Sequence, residues 1–332
     1  MNPSKQDVVR RILAGKPLEP REHGVAFAPS NIALCKYWGK RDEELNLPMT
    51  SSLSLSLGKL GSSARISASS GIDRYELNGV AVDPQSSFAR RTKTFLDLFR
   101  PDPGTHFNVV AENTIPTAAG FASSASGFAA LTLALDKLFG WNLERRNLSI
   151  LARLGSGSAC RSVYEGFVEW HAGKSPDGMD SFAERLGNKW PELRMGLVVI
   201  SEAEKAVGSR PAMKQTVETS PLYAAWPSKV VHDLSELKVA IADRDFNRFG
   251  RTAESNALAM HATMIAAWPA VLYWLPESVA AMKRVVALRA EGLPLYFTMD
   301  AGPNLKLIFL EKDADAVTKA FPAVQIVAPF EP

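Results

Sequence analysis

Cysteine is nearly absent: Cys35 and Cys160 are the two in 332 residues. They form neither a close-spaced metal motif nor a disulfide framework, which fits a reducing compartment and predicts a cytoplasmic protein. The five histidines show no ligand spacing such as HExxH. The chain also lacks GxxxxGK[ST], and it lacks GxGxxG after a strand, which excludes those two nucleotide loops but not ATP itself. No block of basic residues occurs. The 38 Lys and Arg against 35 Asp and Glu leave +3, spread along the chain. That excludes nucleic-acid binding through a basic footprint and means that any anionic ligand is met locally. Residues 1–22 contain Asp7, Arg10, Arg11, Glu19 and Glu22 but no continuous apolar stretch, so they read as a local N-terminal extension, not a secretory signal. Residues 257–275 carry no formal charge, yet His261, Thr263 and Pro269 interrupt them. They predict a buried helix pair broken before Pro269, not a membrane span.

What is present is a globular composition, 46% hydrophobic and 22% charged, sufficient for a sizeable core in two domains. Leu53, Leu55 and Leu57 alternate with serines, which predicts a half-buried strand, and residues 65–68 predict another. Asn78-Gly79 between RYEL and VAVD predicts a tight hairpin over 73–83. The spacing predicts helices at 88–99, 124–138, 228–242, 245–266, 278–291 and 313–320. It predicts strands at 106–112, 195–201, 295–299, 305–310 and 324–327. The order lacks the βαβ rhythm of a doubly wound sheet, which points to an α+β fold. The division expected is an extension at 1–22, one domain at 23–190 and a second at 191–332.

Four segments could carry chemistry. Between a strand and a helix, Pro116 to Gly127 sets Gly120 beside the hydroxyls of Ser123, Ser124 and Ser126. Small residues there let the backbone approach a phosphate at a helix N-terminus, although an ordinary N-cap looks the same. Lys36 to Arg41 packs three cations and two aromatics into six residues, as a solvated cluster or an anion site. GSGSACRS, Gly155 to Ser162, offers hydroxyls, N–H groups and the fork of Arg161, or is a plain flexible turn. Asp300 ends an apolar strand before Gly302-Pro303, as a turn cap or a functional carboxylate. Neither serine-rich segment has the pattern of a hydrolase nucleophile elbow, and Cys160 reads as a small buried thiol. Asp243, Asp245, Asp313 and Asp315 read as helix caps or solvated faces.

The combination is more specific than any one part. AFAPSNIALCKYWGKRD (26–42), NLPMTSSLSLSL (46–57), ENTIPTAAGFASSASGFAAL (112–131), GSGSACRS (155–162) and MDAGPN (299–304) resemble the diphosphomevalonate decarboxylases. That family lies within the galactokinase, homoserine kinase, mevalonate kinase and phosphomevalonate kinase (GHMP) superfamily, and the resemblance spans about residues 23–328. It implies a two-domain GHMP-kinase-like fold with ATP and substrate in the cleft between domains. The implied reaction is ATP-dependent decarboxylation of mevalonate diphosphate to isopentenyl diphosphate, releasing ADP, phosphate and carbon dioxide.

The resemblance also implies roles. Asp300 would orient or deprotonate the hydroxyl, Lys36 would pair with it, and Arg161 would hold the substrate carboxylate. Tyr37, Lys40, Ser209 and Arg210 would grip the diphosphate, with Ser156 and Ser158 near the substrate and the transferring phosphoryl. Gly120, Ser123 and Ser124 would form the ATP phosphate site, and Mg2+ would bridge the ATP phosphates with ligands that no motif identifies. A homodimer is implied, with a small-molecule substrate and neither nucleic acid nor membrane as partner. Cys35, Phe121 and Gly208 to Pro211 depart from the family pattern, which bears on substrate detail. Kinases acting at the same tertiary hydroxyl and decarboxylases of the monophosphate are the near alternatives. A non-catalytic ligand-sensing relative is the alternative outside enzymes. Retention of Asp300, Lys36 and Arg161 favours full decarboxylation.

Overall fold

The computed structural model describes residues 3–115, 123–203 and 205–331. Its N-terminal half is built on a sheet of β1 (Gly24–Cys35), β4 (Ser52–Ser69), β5 (Arg74–Leu77), β6 (Val80–Ala81), β7 (His106–Asn113), β8 (Phe167–Trp170) and β9 (Ala183–Arg185). A separate ribbon pairs β2 (Lys40–Asp42) with β3 (Leu47–Pro48). The long β4 is the axis, antiparallel to β1, β7 and β8, while β5 joins β7 in parallel. Helices α1 (Lys5–Ile12), α2 (Ser87–Leu96), α3 (Ser123–Phe139) and α4 (Arg145–Gly155) complete this half, and a 3-10 helix, Gly157–Val163, follows α4.

The second half is an antiparallel sheet in the order β11-β12-β10-β13. Its strands are β10 (Leu193–Val198), β11 (Tyr296–Met299), β12 (Leu305–Leu310) and β13 (Gln325–Val327). Its helices are α5 (Ser209–Thr219), α6 (Trp226–Asp243), α7 (Phe246–Ile265), α8 (Pro276–Ala290) and α9 (Ala314–Ala320). One core joins the halves: Ile32, Leu53 and Leu55 pack in the same apolar cluster as Met195, Trp226 and Phe249. The mixed helix and sheet architecture is the α+β fold expected.

Local chemistry explains the agreements. Asn78 and Gly79 take φ of 51° and 78°, the positive values that a two-residue hairpin turn requires. Asp245 caps α7 by accepting the Arg248 N–H at 3.0 Å. Other expectations are corrected. The strands at 53–57 and 65–68 are one strand, and its first part is buried on both faces, serines included: Ser52 accepts from Arg161 and Ser56 from the Gly166 N–H, while the Ser54 hydroxyl has no partner among the described residues. Residues 266–275 form no second helix: α7 stops at Ile265 and regular structure resumes at Pro276. No described helix is long and apolar enough to cross a membrane. Within 1–22, α1 buries Val8, Val9 and Ile12 in the N-terminal core, under a capping box between Ser4 and Asp7.

Candidate active site

The two halves meet at a cleft of about 780 Å³, ample for a small ligand. Its floor begins at the end of β1. Register shifts between Pro29 and Asn31 and between Ala33 and Cys35 break the regular alternation, and proline in a strand is at home at such a bulge. The irregular end of β1 thereby contributes Asn31, Ala33 and Lys36 to the cleft wall. The backbone N–H of Lys36 donates to Asn256 Oδ1 at 2.8 Å, and Asn256 in turn donates to Asp233 at 2.8 Å. The next turn is fixed by Gly39, whose φ of 110° and whose contact with the Tyr223 hydroxyl leave no room for a Cβ. Tyr223 and Trp226 both donate to the Trp38 carbonyl, at 3.1 and 2.9 Å.

Asp300 follows β11 and points at the same floor. Lys36 Nζ lies 2.8 Å from its Oδ1, and Lys306 Nζ lies 3.3 Å from its Oδ2. Burial alone would raise this carboxyl, but the Lys36 and Lys306 ammoniums override it and hold the group well below the usual carboxylate range. Burial also lowers Lys36, to about 8; Asp300 opposes that fall while Lys306 and Arg161 add to it. His261, buried on α7, lies with Nε2 3.1 Å from the Asp300 backbone carbonyl, and burial followed by the Lys36 charge pushes its imidazole down to about 3.

Arg161 comes from the 3-10 helix, so GSGSACRS is not a flexible turn: Gly157 and Ala159 to Val163 are buried. Its Nε donates to Asn31 Oδ1 at 3.1 Å and its Nη1 to Ser52 Oγ at 2.6 Å. Both acceptors are neutral, so among the described residues no carboxylate cancels this buried guanidinium. Lys36, Lys306 and Arg161 against Asp300 leave an excess of positive charge beneath the cleft. Such a floor is stable only with an anion above it or strong neutral bracing.

The other expected residues line the same cleft. Lys40 donates to Asn46 Oδ1 at 2.9 Å, and Asn46 is anchored by its amide on the Arg153 and Leu154 carbonyls. Arg210, in the first turn of α5, donates to the Gly155 carbonyl at 2.9 Å. Ser209 Oγ accepts from Lys205 at 3.2 Å. Burial lowers Lys40, and the charge of Arg210 lowers it further. The Tyr37 hydroxyl is buried with no partner among the described residues, a donor left for a ligand. Ser124, Ser156 and Ser158 also line the cleft. Ser123 begins α3. Gly120 lies outside the described residues.

Sequence reasoning missed Asn31, Asn46, Lys205, Asn256, His261 and Lys306. For Lys306 a signal existed: it is the one charged residue in the apolar strand LKLIFL. Cys35 and Cys160 are both free and buried, and burial raises both thiols, as expected of inert cysteines.

Comparison with known proteins agrees with this geometry. Residues 28–183 match the diphosphomevalonate decarboxylase-like N-terminal domain, and residues 196–328 match the mevalonate 5-diphosphate decarboxylase C-terminal domain. The diphosphomevalonate decarboxylase of Aspergillus fumigatus is 39% identical over 321 residues, covering 90% of this chain and 79% of that one. A solved mevalonate diphosphate decarboxylase from Enterococcus faecalis superposes with TM-score 0.86 at 42% identity, covering 92% of this chain and 96% of that chain. A structure of MDDEF in complex with MVAPP, AMPPCP and magnesium gives TM-score 0.86 at 43% identity, with the same coverage of 92% and 96%. A relative with this identity and coverage, two family models in tandem and a cleft floored by excess positive charge all point one way, and the chain belongs to the diphosphomevalonate decarboxylase family.

Proposed function

We propose that this protein catalyses the ATP-dependent decarboxylation of mevalonate diphosphate to isopentenyl diphosphate, with release of ADP, phosphate and carbon dioxide. The observation that carries the reading is the cleft floor, where Asp300 is held ionised between two lysines and Arg161 keeps an uncancelled charge beside it. Asp300 accepts a hydrogen bond from the substrate's tertiary hydroxyl and aims its oxygen at the γ-phosphoryl of ATP. Held so far below neutrality, it is a weak base and a strong orienting acceptor. Lys36 stabilises the charge that moves during transfer. Arg161 holds the carboxylate on the far side through its fork. The hydroxyl oxygen bonds to the γ-phosphorus as the bond from that phosphorus to the ADP oxygen breaks, and the hydroxyl proton passes late in the transfer through Asp300 to the phosphate or water. The carbon–oxygen bond then breaks with its electrons on phosphate, and the tertiary carbon becomes electron-poor. The carbon–carbon bond to the carboxylate supplies the electrons of the new double bond as carbon dioxide leaves. Tyr37, Lys40, Ser209 and Arg210 bind the diphosphate, while Ser156 and Ser158 flank the transferring phosphoryl.

The nucleotide phosphates belong at the N-terminus of α3, with Gly120, Ser123 and Ser124. Among the described residues no cluster of carboxylates or histidines forms a metal cage, and Asp300 is occupied by its two lysines. That donor set fits Mg2+ brought in with the nucleotide; Ser124, which lines the cleft, would help to hold it, and the ion would neutralise phosphate charge there. The same reading includes the division near residue 190, a cytoplasmic location supported by two unpaired buried cysteines, and a homodimer, checked by sedimentation.

The test is to incubate the protein with ATP, Mg2+ and mevalonate diphosphate, with mevalonate and its monophosphate in parallel. Equal phosphate and carbon dioxide from the diphosphate alone is the expected result. Turnover only of mevalonate or its monophosphate would assign a different substrate within the family.

A further inference from the structure

Asp300 is served by two lysines, and the reaction described above uses only one of them. Lys306 sits on β12 opposite Thr298 of β11. Its neighbours Leu305, Leu307 and Phe309 point into the apolar layer under the sheet. Lys306 takes the other face and is 2% exposed, as is Lys36, while the Asp300 side chain between them is 26% exposed toward the cleft. Besides Asp300, Lys306 donates to the Asn304 carbonyl at 3.3 Å. A lysine ammonium in this position costs free energy that an apolar side chain of the same length would not, unless the charge serves the site.

We propose that Lys306 is a positioning residue of this reaction: a second ammonium that holds Asp300 Oδ2 while Lys36 holds Oδ1, so that the carboxylate turns one fixed face to the substrate's hydroxyl. The inference rests on the function proposed above. With one lysine, the carboxylate rotates about its terminal bond; with one on each oxygen, its plane is set. The two ammoniums share one anion, so each also repels the other, and Lys306 loosens the proton on Lys36. Other charged or titratable groups also lie near Asp300. His261 of α7 meets its backbone carbonyl, Lys205 of the loop after β10 donates to the adjacent Ala301 carbonyl at 2.7 Å, and Arg161 contributes charge from the 3-10 helix. None of these hydrogen-bonds to Asp300 Oδ2 among the described residues.

The test uses the full-length protein with Lys306→Met, which keeps an apolar stem, and Lys306→Gln, which keeps a donor without the charge. Lys306→Met should lower kcat about tenfold or more, with the KM for mevalonate diphosphate changed less than about threefold, and Lys306→Gln should recover part of kcat. In both variants the basic limb of kcat/KM that reports Lys36 in the free enzyme should move up, because a like charge beside it is removed. If Lys306→Met does not fold, Lys306→Gln carries the same two readouts. Direct titration of Lys36 by NMR of 13Cε-labelled lysine, assigned with Lys36→Met, should show the same upward shift without any turnover. Folded variants with wild-type kcat and an unmoved Lys36 titration would overturn the proposal, as would lost activity with an unmoved titration. Absence of decarboxylation in the wild-type protein would instead sink the assigned function, and the NMR titration separates the two failures.

Discussion

The lysines of the floor and the cations of the rim handle positive charge in opposite ways, while Arg161 on the floor is braced, like the rim, by neutral oxygens. On the floor, Lys36 and Lys306 are buried against the Asp300 carboxylate. At the rim, Lys40, Lys205 and Arg210 rest on neutral oxygens: the Asn46 amide, the Ala301 carbonyl and the Gly155 carbonyl. Carbonyl acceptors satisfy hydrogen bonds without cancelling charge, so the rim stays electropositive and is compensated only when phosphates arrive. The floor is organised before any ligand binds. Floor residues should therefore govern kcat, and rim residues should govern KM and its salt dependence.

The largest effect is expected at the centre of the floor. Asp300→Asn keeps shape and removes charge, so kcat should fall by roughly 10²–10⁴ while a fluorescent ATP analogue still binds. Near-normal turnover of that variant would place the orienting group elsewhere. Next comes Arg161→Lys, which keeps charge but loses the geometry of Nε on Asn31 and Nη1 on Ser52. A loss of roughly a hundredfold in kcat is expected, the scale of removing one preorganised donor. A fully active lysine variant would reduce Arg161 to a generic cation.

At the rim, Lys40→Met or Arg210→Met should raise the KM for mevalonate diphosphate roughly tenfold or more, as for a lost charge-assisted hydrogen bond, with kcat changed far less. The KM of the wild-type protein should rise with salt, and less steeply in these variants. A kcat effect equal to that of Asp300→Asn would erase the distinction between floor and rim.

The fold was legible where one local rule decided it. The Asn78-Gly79 hairpin, the Asp245 cap of α7 and the strand pair flanking Asp300 all obey such rules. Legibility failed where tertiary contacts override periodicity. The bulged β1 breaks period-two alternation, so the strand that carries Asn31 to the cleft had no clear signal. Ser52 and Ser56 alternate with leucines as solvent-facing residues would, yet they accept hydrogen bonds from Arg161 and the Gly166 N–H in the interior. The small residues at 157–163 suggest flexibility, while burial against Tyr37 and Trp170 makes them rigid. Family motifs named Lys36, Arg161 and Asp300 together; a lone charge in LKLIFL marked Lys306, but its place beside Asp300 follows from β12 pairing with β11.

The smallest expected effect concerns stability at the edge of the floor. His261 is buried and neutral down to about 3, whereas an unfolded histidine titrates near ~6.5. Between those values the unfolded chain binds the additional proton, so stability falls as pH drops below 6.5. His261→Gln should remove roughly 1.5–2 kcal/mol of that loss between pH 6.5 and 5, seen as a flatter dependence of Tm on pH. An unchanged slope would show that other groups control acid unfolding.

The central claim is that one closed floor both phosphorylates the hydroxyl and releases the carboxylate. Single-turnover rapid quench with mevalonate diphosphate and ATP tests it directly. Phosphate and carbon dioxide should appear together with ADP, with no phosphorylated acid accumulating in solution. Formation of ADP with a stable phosphorylated acid and no carbon dioxide would contradict the account and leave a kinase.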